Sequence, residues 1–150
     1  IEHAPNFALS YAMRSQVHVE LKASDKALAD LNRAIELDSE QAMYFYERGR
    51  VHADLGSDSL ALSDYSRALR LDPQNPDPAH NRAWLRFHRH EWAEAATDAR
   101  RVIELAPDYV SARRVLGYSL FGQADYAAAV KALDEAIAMD KDPAENAYAM

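Results

Sequence analysis

The sequence of 150 residues contains no cysteine, few glycines and no long apolar run. The lack of cysteine excludes disulfide bonds and cysteine-ligated zinc sites, and it leaves the compartment open, with the cytoplasm favoured. Since no apolar run approaches the roughly 18 residues of a membrane-spanning helix, we expect no membrane insertion. The net charge of −7 lacks the basic excess of nucleic-acid-binding surfaces, so we expect no nucleic-acid partner. Hydrophobic residues make up 49% of the chain, which is enough for a continuous core.

A block of 34 residues organises the chain. Residues 42–75 have the pattern of two short amphipathic helices with a turn at Gly56, and Asp72-Pro73 ends the second helix because proline cannot continue it. Displaced by 34 residues, the block coincides with the sequence on either side. Two of the recurring series are Ala27, Ala61, Ala95 and Ala129, and Leu37, Leu71, Leu105 and Met139. The period predicts eight helices, with turns near residues 22–24, 56–57, 90–91 and 123–125.

The period and its pattern of small and aromatic positions resemble the tetratricopeptide repeat (TPR) family. The resemblance implies an all-α fold in which helix-turn-helix repeats stack into a right-handed superhelix. The family's glycine at the eighth position is kept as Gly49 and Gly117, whereas Ser15 and Ala83 replace it in the other two repeats. We expect a single domain over residues 1–150, with four repeats at 8–41, 42–75, 76–109 and 110–143.

Both ends of the sequence resemble parts of further repeats. Residues 1–7 place Pro5 where Pro73 stands in the second repeat, as in the tail of a preceding repeat. Residues 144–150 resemble the start of a following helix. Because the ends of such an array expose apolar surface that terminal caps would cover, the pattern predicts self-association through the array ends.

An arginine at the seventh position and an aspartate at the twenty-third change together between repeats. In the fourth repeat they become Leu116 and Ala132. We interpret the correlation as an ion pair between the two helices of one repeat, which would fix their register. Pairing across repeats would place Asp98 against Leu116, and the remaining alternative is two independent surface charges. The predicted structural pairs are Arg14 with Asp30, Arg48 with Asp64, and Arg82 with Asp98.

The first helix of each repeat packs through positions four, seven, eight and eleven, so positions two, five, six, nine, twelve and thirteen point away. By resemblance to the TPR family, these line a concave groove that holds an extended peptide or a partner helix. In repeats two to four they include aromatic and arginine side chains, which dominate binding hot spots. The predicted peptide-binding residues are Tyr46, Arg50, His80, Asn81, Trp84, Phe87, Arg114 and Tyr118. Packing against the next repeat is the alternative; it is evenly balanced for Phe87, whereas binding is favoured for Trp84 and Tyr46.

Other kinds of site find little support. Some TPR proteins grip a terminal carboxylate with a clamp of Lys, Asn and Arg, but Glu47 and Asp77 stand at clamp positions here and would repel it. The six histidines lack the spacing of a metal motif, and no phosphate loop or nucleophile–base pair is recognisable. We therefore expect no metal, no cofactor and no enzyme activity within this segment.

The resemblance implies a protein-interaction module that binds a protein or peptide partner within a scaffold or adaptor. The alternative is a regulatory or substrate-recruiting appendage of an enzyme whose catalytic domain lies outside this segment. Arginine at the seventh position, where the family usually has leucine, resembles bacterial members of the family.

Overall fold

The computed structural model describes residues 5–140, which are helical apart from their turns and contain no strand. The prediction of an all-α fold with eight helices is confirmed for this range. Helix α1 begins at Pro5, inside the segment compared with a preceding repeat. The following helix predicted at residues 144–150 lies outside the described residues. The helices are α1 (Pro5–Glu20), α2 (Ser24–Leu37), α3 (Ala42–Asp54), α4 (Asp58–Leu71), α5 (Pro76–His88), α6 (Trp92–Leu105), α7 (Val110–Gly122) and α8 (Tyr126–Asp140).

The turn inside each repeat has the same backbone geometry. Its central residue adopts a positive φ, which closes the first helix with a left-handed residue. The amide that follows donates a hydrogen bond to a carbonyl five residues earlier, as Ser57 N does to His52 O at 2.8 Å. The four left-handed residues are Lys22, Gly56, His90 and Ala124, spaced 34 apart. The turn geometry is therefore kept although only one of the four is glycine.

The described residues form two compact units that divide after Pro78. In the first unit, Ala27 and Leu31 of α2 are fully buried and pack with Val51 of α3. A buried cluster of the second unit consists of Ala83 of α5, Ala99 of α6 and Val115 of α7. Small side chains on one helix thus let the next helix approach closely in both units.

Glycine at the eighth position leaves room for a large side chain of the second helix in the second and fourth repeats. A Cβ atom on Gly49 would lie 2.8 Å from the ring of Tyr65, and one on Gly117 would lie 2.6 Å from Leu133 Cγ. In the third repeat, Ala83 packs in one cluster with a second alanine, Ala99. The departure from glycine there accompanies a smaller opposing residue.

Bidentate ion pairs join the two helices in each of the first three repeats. The arginine Nη2 atom lies 2.6 Å from Asp30 Oδ1, 2.7 Å from Asp64 Oδ1 and 2.7 Å from Asp98 Oδ1. In each pair the arginine Nε also donates to Oδ2. The hydrogen bond from Arg14 holds the pKa of Asp30 below its ordinary value. Because the three aspartates are buried, loss of an arginine would leave a buried carboxylate without its main partner.

The eleventh position supplies a second basic neighbour to each aspartate. His18 Nε2 lies 3.7 Å from Asp30, and His52 Nε2 lies 3.9 Å from Asp64. In the third repeat Arg86 takes this position, and its Nη1 donates to Asp98 at 2.8 Å. Burial, together with the charge of Arg48, lowers the pKa of His52, although Asp64 opposes this shift.

We expect Gly56→Ala to lower the free energy of unfolding by about 1 kcal/mol. The cost comes from the left-handed backbone of Gly56, which is unfavourable for alanine, and not from a steric clash. A Cβ atom there meets nothing within 4 Å. Ala124→Gly, in the equivalent turn, should raise stability by a similar amount. Urea unfolding curves measure both changes. Since glycine within a helix destabilises, a loss of stability in Ala124→Gly would contradict the turn analysis.

We expect Arg48→Ala to cost about 1–3 kcal/mol by stranding the carboxylate of Asp64. The double variant Arg48→Leu/Asp64→Ala copies the fourth repeat and should recover most of the loss, because an apolar pair leaves no buried charge. Chemical denaturation of the wild type, Arg48→Leu, Asp64→Ala and the double variant closes a cycle that measures the coupling. A cycle that shows no coupling energy would argue against the pair's structural role.

The lowered pKa of His52 predicts a pH dependence of stability. The folded chain favours the neutral imidazole, so this contribution is fully present above the ordinary pKa of 6.5 and is lost as pH falls through the folded pKa. We expect the thermal midpoint to fall between about pH 7 and about pH 5, and His52→Gln to reduce that fall. Equal pH profiles for the two proteins would show that His52 does not contribute.

Candidate functional site

An open concavity in the second unit lies between the first helices of its two repeats. Helix α5 contributes His80, Asn81 and Trp84, and helix α7 contributes Ser111, Arg114 and Tyr118. The spacing of four residues between His80 and Trp84, and between Arg114 and Tyr118, places each pair on one side of its helix. The structure thus brings together five of the residues predicted for peptide binding.

The ring of Phe87 packs against both aromatic side chains of this concavity, Trp84 and Tyr118. Its centre lies 5.9 Å from that of the Trp84 ring and 5.8 Å from that of the Tyr118 ring. Phe87 itself packs against the buried cluster of Ala83, Ala99 and Val115 and does not line the concavity. Trp84 and Tyr118 remain 45% and 40% exposed. The concavity therefore has two exposed flat rings on a packed support.

Polar groups surround these rings. His80 Nε2 lies 3.4 Å from Ser111 Oγ, and the His80 ring centre lies 4.8 Å from that of Tyr109. Arg114 forms an ion pair with Asp140 at the end of α8, and both side chains are about half exposed. Among its lining residues the concavity has one permanent cation and no carboxylate.

In the first unit, Tyr46 and Arg50 lie one turn apart on α3. The Arg50 guanidinium is 5.9 Å from the centre of the Tyr46 ring and 3.1 Å from Glu47 Oε2. Tyr46 is half-buried, with its ring 6.2 Å from that of Tyr65. Tyr46 therefore combines packing with partial exposure.

A second concavity, in the first unit, includes Arg50 but not Tyr46. Its carboxylates are Glu20 and Glu47, so its lining carries net negative charge. Its lining residues are Met13, Gln16, Val17, Val19, Glu20, Glu47 and Arg50. The sequence prediction places the site in repeats two to four and does not include this concavity. The equivalent positions of the first repeat, which include Met13 and Glu20, indicate it.

The arginine–aspartate pairs lie inside the helical hairpins and do not line the two concavities just described. Residues 5–140 contain no group of three or more His, Asp or Glu side chains placed to hold a metal ion. None of the helices in that range is long and apolar enough to cross a membrane. Both concavities have apolar side chains beside charged or hydrogen-bonding ones, and only the concavity of the second unit has exposed rings.

Comparison with known proteins gives a family but no curated relative. The tetratricopeptide repeat family matches residues 13–76 and 80–149. No match was found among curated proteins.

Solved structures share the fold at low sequence identity. MamA has a TM-score of 0.88 at 18% identity, with 95% of this chain and 83% of MamA covered. YrrB, a TPR protein with an unusual peptide-binding site, has a TM-score of 0.80 at 23% identity, covering 91% of this chain and 70% of YrrB. The first TPR of Spaghetti (RPAP3), bound to an HSP90 peptide, has a TM-score of 0.76 at 22% identity, covering 79% and 94%.

At these identities the structural likeness establishes the fold alone, and the family match over most of the sequence carries the assignment. This chain belongs to the tetratricopeptide repeat family of protein-interaction modules.

Proposed function

We propose that the chain binds a peptide segment of a partner protein and that the concavity of the second unit holds an apolar side chain of that segment. The observation that carries the proposal is the exposure of Trp84 and Tyr118 beside Arg114. Large rings left accessible in a concave, partly polar surface are typical of binding sites. The partner protein would use the chain as part of a scaffold or adaptor.

The support of the rings favours binding. Phe87 packs on the core and contacts both Trp84 and Tyr118, so it limits the rotation of the two exposed rings before a ligand arrives. A tryptophan or tyrosine buries much area while few torsions are frozen. Pre-organisation of this kind lowers the entropic cost of association.

The polar groups around the rings suit the main chain of a ligand. Asn81 and Ser111 carry side chains that donate and accept hydrogen bonds. Arg114 is paired with Asp140 through Nη2, and its other guanidinium N–H groups remain as donors for a main-chain carbonyl. Contacts to main-chain atoms would accept varied ligand sequences.

The first unit restricts the charge of the ligand. Glu20 and Glu47 line its concavity with Arg50, which is already paired to Glu47. A uniformly acidic segment would be repelled there, so we expect a mixed apolar ligand with few acidic groups. Affinity should be near micromolar, on the order of −8 kcal/mol, as for a transient partner. YrrB and the HSP90-peptide-bound RPAP3 domain add support by analogy, because both are peptide-binding proteins of the same fold.

We expect Trp84→Ala to weaken binding of a selected peptide by about tenfold or more, because it removes the largest exposed ring of the concavity. The probe is a decapeptide selected on the wild-type chain from a randomised display library and measured by calorimetry. Arg50→Glu tests the contribution of the first unit with the same peptide. Leu60→Ala is the matched control, since Leu60 is exposed but lies in neither concavity.

Equal affinity of wild type, Trp84→Ala and Arg50→Glu would show that the peptide binds elsewhere. Failure to select any peptide from the library would count against peptide binding itself.

A further inference from the structure

The ring of Phe87 has a further aromatic neighbour besides Trp84 and Tyr118. Trp92, the first residue of α6, lies 5.3 Å from Phe87 between ring centres. Trp92 is half-buried and does not line the concavity of the second unit. It thus packs against the ring that supports Trp84 and Tyr118 without being part of the concavity.

Helix α7 holds the indole ring of Trp92 in place. A Cβ atom on Gly122, the last residue of α7, would lie 2.5 Å from Trp92 Cδ2, so the indole ring fills the space that a side chain there would need. Gln123 Nε2 donates a hydrogen bond to Trp92 O at 3.2 Å, and the His90 ring centre lies 4.7 Å from that of Trp92. A ring packed between a helix backbone and other rings has little room to rotate.

This arrangement is found in the second unit and not in the first. The contact of α2 with α3 is the counterpart, in the first unit, of the contact of α6 with α7. The residues there that correspond to Phe87, Trp92 and Gly122 are Val19, Ser24 and Asp54. A large ring on one helix and a glycine on the next therefore occur together in the unit whose concavity exposes two rings.

We infer that Trp92 is a positioning residue of the binding site. Seated on Gly122, it fixes the ring of Phe87 and, through that ring, the orientations of Trp84 and Tyr118. The inference rests on the proposed function of the concavity. Trp92 acts from outside the concavity, through packing, and contacts no ligand.

Loss of the indole ring would open a space beside Phe87. A side chain next to such a space loses the packing contacts on that side, so its rotation is less restricted. Phe87 would then hold Trp84 and Tyr118 less firmly, and a ligand would have to immobilise rings that the wild-type chain holds before binding. Immobilising one further side chain reduces affinity by about two- to tenfold.

The test compares Trp92→Leu, which removes the aromatic ring, with Trp92→Phe, which keeps a ring against Phe87. The chain has two tryptophans, so Trp84 is the only tryptophan in either variant. Time-resolved fluorescence anisotropy without ligand then reports the motion of the Trp84 ring on the nanosecond scale. We expect a larger amplitude of this motion in Trp92→Leu than in Trp92→Phe.

Calorimetry with the decapeptide selected on the wild-type chain measures the consequence for binding. Trp92→Leu should weaken binding by about two- to tenfold, whereas Trp92→Phe should bind nearly as tightly as the wild type. Circular dichroism checks that both variants are folded at the temperature of measurement. Tyr126→Leu is the matched control and should bind like the wild type, since Tyr126 has the same position in the next repeat but packs against Phe121 at 5.6 Å between ring centres.

Gly122→Ala tests the contact of the indole ring with α7. Its Cβ atom would displace the ring of Trp92 and should weaken binding of the peptide. In Trp92→Leu the same substitution should have little further effect, because the ring that it displaces has been removed. Additive losses of affinity would show that Gly122 acts independently of Trp92 and would overturn the inferred role of this contact.

Equal motion of Trp84 in Trp92→Leu and Trp92→Phe would overturn the inference, whether or not the peptide binds at Trp84. A lower thermal midpoint of Trp92→Leu with unchanged motion of Trp84 would likewise overturn it, since it indicates a contribution to stability alone. Wild-type affinity in a folded Trp92→Leu variant would also overturn it, while weaker binding by Trp84→Ala would leave the proposed function in place.

Discussion

Close approach of the two helices in each repeat is the constraint on which the rest of this structure depends. The twentieth position is alanine in all four repeats, and each of these alanines is buried. At the eighth position the backbone of the first helix comes so near the second helix that a Cβ atom on Gly49 would clash with the ring of Tyr65. At this contact only the second helix carries a large residue, here Tyr65. The distance between the two helices is therefore kept while individual side chains change. Within each unit, this spacing sets where a surface for binding can form.

The same geometry accepts either an ion pair or an apolar pair between the helices. The first three repeats use an arginine and a buried aspartate, whereas the fourth uses Leu116 packed with Ala132. Desolvation of two charges offsets much of their attraction, so the pairs need not make their repeats more stable than the fourth. Their bidentate geometry instead allows few relative positions of the helices, which favours one register. In the third repeat, Arg86 adds a second donor to Asp98 and strengthens this restriction.

The parts that the sequence predicted are those fixed by local pattern. Apolar spacing and repetition placed the helices and turns, because a helix with one buried face needs that pattern whatever it packs on. The spacing of four residues between Arg114 and Tyr118 likewise predicted that both lie on the same side of α7. The orientation of Phe87 did not, because a residue at the edge of a helix face turns inward or outward according to its neighbours in three dimensions. The ion pair of Arg114 with Asp140 was equally out of reach, since it joins helices α7 and α8 across 26 residues of sequence.

Packing through small residues has a consequence for how such a chain acquires specificity. Since glycine and alanine make the closest contacts, some large side chains of the first helices stay at outer positions, whereas others, such as Tyr44 and Phe45, are buried. Trp84 and Tyr118 occupy outer positions, and Phe87 couples them to the core without covering them. Substitution at the outer positions therefore changes what the surface binds while leaving the hairpin spacing intact. Function in this fold varies with the residues that packing does not need, which is why family membership establishes an interaction module while the partner depends on individual side chains.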